Sequence, residues 1–153
     1  MLNRGRIAFL VLVGLLAATL FLSGCTFWVR MTNGRVSQVA LPDEEVQRFL
    51  TYMDTLSQQL FQETQRLQDE GLKQVVFEMR QAYFRLLHQM GSSQRAPANL
   101  SELQLKVQAF EIQMGRRLTT PQQVSRYQML KVCFGQLKQE LQQFYSMVER
   151  AAK

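Results

Sequence analysis

Residues 127–148 read YQMLKVCFGQLKQELQQFYSMV, and the apolar positions Tyr127, Leu130, Phe134, Leu137, Leu141, Phe144 and Val148 advance through them by alternating steps of three and four. That rhythm puts all of them on one seam of a helix packed in coiled-coil fashion. The start is equally legible. Thr120-Pro121-Gln122-Gln123 supplies a hydroxyl cap, a proline where its missing N–H is harmless, and a glutamine able to bond back to the cap. Working back along the chain, three more stripes have the same spacing. One opens at Asp43 and carries Val46, Phe49, Met53, Leu56, Leu60 and Leu67, widened by Leu50 and Phe61, with Asp43, Glu44 and Glu45 suited to its positive N-terminal end. A second runs through Leu72, Val76, Met79, Tyr83, Leu86 and Met90, and a third through Leu100, Leu103, Val107, Phe110 and Met114 behind the capping pair Asn99 and Glu102.

Breaks separate the stripes. Gly91-Ser92-Ser93 with Pro97 marks a loop, and Gly115 precedes the Thr120 cap. Gly71 either ends the first helix or kinks it into the second. The pattern predicts an all-α fold, an antiparallel four-helix bundle with coiled-coil-like packing over residues 43–153, preceded by a short extended leader over 25–42. A long parallel oligomeric coiled coil is the alternative, but a fibrous coil has no need of such regularly placed turns. In the leader, Asn33-Gly34 is a good two-residue hairpin turn between Val29 and Met31 on one side and Val36 and Val39 on the other. Paired strands and an unpaired extended leader both fit it, since an isolated hairpin is marginal in water.

The front of the chain places Arg4 and Arg6 before an apolar run from Ile7 to Leu22, followed by Ser23, Gly24 and Cys25. A spanning helix wants roughly 20 apolar residues, and this run stops short. A cleavable signal fits the length better. Leu22-Ser23-Gly24-Cys25 resembles the lipobox of a bacterial lipoprotein signal peptide. The resemblance implies that residues 1–24 are removed, that the Cys25 sulfur takes a diacylglycerol group, and that its freed amine is acylated. It also implies a protein lipid-anchored in the bacterial cell envelope. Thr26, where an aspartate would signal retention at the inner membrane, implies delivery to the outer membrane, facing the periplasm. Phe27 and Trp28 follow the anchor at once. With Arg30 they suit a membrane interface, and the alternative is that Phe27, Trp28 and Val29 pack onto the domain.

Of the 153 residues 46% are hydrophobic and 20% charged, a balance that fits a globular chain of one domain. With Cys25 lipidated, Cys133 has no partner within the chain, and burial as a small apolar side chain is the expectation. From Cys25 to Glu78 there are five basic residues against eight acidic; from Met79 to Lys153 there are eleven against four. This asymmetry predicts charge pairing between an acidic first helix and basic third and fourth helices. It also admits a second reading, a basic face held against membrane or cell wall.

Catalytic constellations are missing from the sequence. His88 is the only histidine, and no Glu-x-x-His spacing, phosphate-cradling glycine loop or serine elbow occurs. The chain therefore reads as non-enzymatic, with no metal, no cofactor beyond the lipid on Cys25, no small-molecule substrate and no nucleic acid. At the level of architecture it resembles the small all-helical pilotin lipoproteins, which escort secretin subunits to the outer membrane. That likeness covers the lipobox and the helical pattern and carries over no residues. It implies a helical module that binds another envelope protein. Phe77, Tyr83, Phe84 and Tyr145 are the candidates to line its groove. Phe77 and Phe84 fall off the main seam of their helix and either form a docking surface or widen the core.

Overall fold

The computed structural model describes residues 24–31, 33–91 and 97–152. The apolar run and Ser23, and with them the signal-peptide reading, lie outside those residues. The described chain is mostly helical, with one small antiparallel sheet. Two strands, β1 (Cys25–Arg30) and β2 (Val36–Leu41), lead into helices α1 (Asp43–Arg66), α2 (Glu70–Gly91), α3 (Leu100–Gly115), α4 (Pro121–Arg126) and α5 (Gln128–Ala151).

The four apolar stripes are the core. Every residue of the α2, α3 and α5 stripes is buried, as are Val46, Phe49, Met53, Leu56, Leu60 and Leu67 at α1, while Leu50 and Phe61 are half-buried at its edge. α1 packs along α5 and α2, and α2 along α3. Phe49 stacks on Phe144 with ring centroids 3.8 Å apart, and Phe110 meets Phe134 at 4.7 Å. Leu50–Tyr83 with Asp54–Arg80, Glu78–Lys106 with Arg85–Glu102, and Phe49–Phe144 with Leu56–Cys133 pair rising residue numbers on one helix with falling ones on its neighbour, so neighbouring helices run antiparallel. Ser57 and Thr64 are buried among the apolar residues of α1 and spend their hydroxyls on the carbonyls of Asp54 (3.1 Å) and Phe61 (2.8 Å).

The leader is paired, which adds a β element to the expected all-α fold. β1 and β2 are in register from Cys25 opposite Leu41 to Arg30 opposite Val36. The hairpin is not isolated, and that is why it holds. Phe27, Val29, Val39 and Leu41 are buried in the same apolar cluster as the helices. On the free side of β1, Arg30 N–H donates to Ala98 O (3.1 Å) and Ala98 N–H to Trp28 O, a short parallel bridge to the segment before α3. The turn is one residue longer than Asn33-Gly34 alone would make it. Met31 N–H bonds Arg35 O at 2.8 Å, and Gly34 takes φ +80°, the left-handed position that a three-residue hairpin loop fills with glycine.

Two helix boundaries differ from the expected ones. The α1–α2 break falls at Leu67–Asp69 rather than at Gly71, with Gln68 at φ 55°. Gly71 already lies in the first turn of α2. A Cβ there would stand 2.7 Å from Nη2 of Arg117, so its lack of a side chain admits a guanidinium rather than a bend. The last helix begins at Pro121 with the full Thr120–Gln123 capping box. It is interrupted at Tyr127 (φ −97°, ψ 10°), which separates α4 from α5.

Candidate functional site

The stripe Leu72–Met90 fixes which face of α2 looks inward, so residues half a turn away look out. Phe77 and Phe84 are 47% and 46% exposed. Seven residues apart on one helix, they stand about 10 Å from each other along its axis, with exposed Gln81 between them. The Phe84 end of the ridge is fixed. The Arg80 guanidinium lies 5.5 Å over the Phe84 ring in cation–π geometry, and is itself held by Gln58 and Asp54 of α1. Beyond Phe84 the surface dips into a shallow depression lined by Gln81, Arg85, His88 and Gln89, and Arg85 is tied to Glu102 of α3.

The two tyrosines do not share this surface. Tyr83 is 2% exposed and donates its hydroxyl to Leu50 O at 2.8 Å; burial, with the charge of Asp54 adding, pushes the phenol up to about 12. Tyr145 is half-buried, with its hydroxyl on Leu100 O, and burial, with the charge of Glu149 adding, raises its pKa as well. Both close helix–helix contacts with their polar tips; Tyr83 is buried too deeply to line a partner groove, while Tyr145 of α5 lies half-buried against α3, away from the Phe77–Phe84 ridge. Sequence reasoning passed over a parallel pair on α3. Leu105 (64% exposed) and Ile112 (58%) are also seven apart and outside their helix's buried stripe, the same offset that picked out Phe77 and Phe84.

At the other end of the chain, Phe27 is 5% exposed and belongs to the core, so its placement at a membrane interface is corrected. Trp28 and Arg30 point the opposite way along the pleat and are exposed. Cys25 is the first residue of β1, opposite Leu41, and is partly buried. Burial, with the charge of Asp43 adding, raises its thiol. Cys133 is buried, with its sulfur 3.5 Å from Leu56 O. Burial and the charge of Glu63 push it up to about 11, the state of an inert thiol.

A polar cluster joins the turn before α2 to the segment after α3. Asp69 accepts from Arg117 Nη2 (2.8 Å) and Nε, from the Tyr127 hydroxyl (2.8 Å) and from Leu72 N–H (3.0 Å). Arg126 donates to Leu67 O (2.9 Å) beside it. Burial alone would raise the Asp69 carboxyl, but these hydrogen bonds outweigh it and hold it at about 2. The cluster is saturated by its own members and positions helices rather than a ligand. Several basic residues of the second half are spent in the same way across helices, as in Lys106–Glu78 and Arg80–Asp54; of the two, only Arg80–Asp54 reaches α1, and it comes from α2 rather than from the third or fourth helix.

Among the described residues no group of three or more histidine, cysteine or acidic side chains is placed to hold a metal, and no helix is long and apolar enough to cross a membrane. His88 is exposed in the last turn of α2. Comparison with protein families, curated proteins and solved structures returns no match for this chain.

Proposed function

We propose that this chain is a non-enzymatic lipoprotein of the bacterial envelope, anchored through lipid on Cys25, whose helices form an antiparallel four-helix bundle with coiled-coil-like packing that binds another envelope protein. The observation that carries the binding half is the Phe77–Phe84 ridge. The α2 core stripe is complete without these rings, so two half-exposed phenylalanines on its outer face are surplus to folding and suited to receive the apolar face of a partner helix. The anchoring half rests on the lipobox-like Leu22–Cys25 and on the strand that begins at Cys25 itself. Outer-membrane residence facing the periplasm, and a role like that of a pilotin accessory, follow from the same resemblance.

Phe77→Ser and Phe84→Ser test the reading. Each is expected to leave unfolding stability within about 0.5 kcal/mol of wild type, as surface changes do. Each should also lose crosslinked copurification with the envelope protein that wild type retains in moderate salt. Unfolding of both variants would make the rings core, and undiminished copurification would place the partner elsewhere.

A further inference from the structure

We infer that the outward face of the β1–β2 hairpin lies flat on the phospholipid surface, so that the domain is seated on the bilayer rather than hung from it. The inference rests on the membrane anchoring proposed above. Strand alternation divides the hairpin: Phe27, Val29, Val39 and Leu41 go into the core, with Cys25 and Ser37 partly buried on the same side, while Thr26, Trp28, Arg30, Val36, Gln38 and Ala40 face out. Trp28 is 48% exposed and Val36 42%, and no carboxylate stands on this face.

An indole, a valine and a guanidinium without an acidic neighbour make the composition of an interfacial surface. Trp partitions to the headgroup level, and an arginine near an anionic leaflet contributes about 1 kcal/mol. The chain path selects a bilayer over a protein as the occupant. Cys25, the residue that carries the lipid in the proposed anchoring, is itself the first residue of β1, so no tether separates the anchor from the strand. Arg30 and Val36, at the far end of the hairpin, lie about 17 Å from Cys25 along the strand. A domain merely hung from its lipid would have no reason to bring that end to the membrane.

Trp28 is the only tryptophan, so its emission reports this face alone. The lipidated protein isolated from its own envelope, reconstituted into phosphatidylethanolamine–phosphatidylglycerol vesicles, is floated to score association and then measured with brominated and unbrominated acyl chains. Trp28 is expected to be quenched by bromolipid and shielded from aqueous iodide. In a Trp28→Phe, Val36→Trp variant the indole at position 36 is expected to be quenched to a similar degree. Quenching at 28 that disappears at 36 would mean a domain hung by its anchor and would overturn the flat seating while leaving the anchor intact. Flotation without quenching at either position does the same. Failure to float would remove the anchoring and the seating together.

Discussion

Leu137→Asp is expected to unfold the domain. Leu137 has no exposed surface and sits in the middle of the α5 seam, the helix that packs along α1. Losing the buried isobutyl group removes about 2 kcal/mol of apolar burial. An unpaired carboxylate in its place adds a desolvation penalty of several kcal/mol, or takes up a proton to escape it. The sum rivals the whole stability of a domain of this size, about 5–15 kcal/mol. Gln139→Asp, two positions on and exposed, should shift stability by less than about 0.5 kcal/mol. Circular dichroism melts of the two variants decide the matter, and equal midpoints would show that the seam is not the core.

The second large effect is expected at Asp69, and it depends on pH. Asp69→Asn leaves the Arg117 guanidinium, 24% exposed at its side chain, without its counter-charge and weakens the acceptor for Tyr127 and Leu72. The sign follows from the direction of the shift. The folded carboxyl is held at about 2 against an unfolded value near 3.9. Its contribution is therefore fully present above about pH 4 and is lost as pH falls through the folded value. The size is about 2.6 kcal/mol at neutral pH. Urea unfolding at pH 7 should show Asp69→Asn less stable by that amount, and the gap should close toward pH 2. A gap that stays constant with pH would mean the carboxylate is not what the cluster uses.

What the sequence made legible was whatever repeats along a helix. The α5 seam and the α2 and α3 stripes are buried to the last residue, because a three-four spacing names a helix face without any tertiary information. Phe77 and Phe84 were visible for the same reason, as rings outside a stripe already full. The residues that were misplaced are those decided by contacts between distant segments. Tyr83 looks like its neighbour Phe84 in sequence, yet its hydroxyl finds Leu50, 33 residues earlier. Phe27 and Trp28 are adjacent and aromatic, and only strand pairing sends one inward and the other out. The Asp69 cluster joins residues 48 and 58 positions apart, and no local pattern announces such a meeting. Gly71 was recognised as special for its backbone, whereas its use is the space it leaves for Arg117.

Lipid anchoring at Cys25 stands or falls with the N-terminus that the protein carries in its envelope and the groups attached to it. Mass spectrometry of the protein isolated from its own envelope measures both at once. An N-terminal residue Cys25 bearing a diacylglycerol thioether and an acylated amine, absent from a Cys25→Ala variant that persists as full-length precursor, is the predicted result. An intact Met1 terminus with no acyl mass on Cys25 would contradict the anchor and the envelope location built on it.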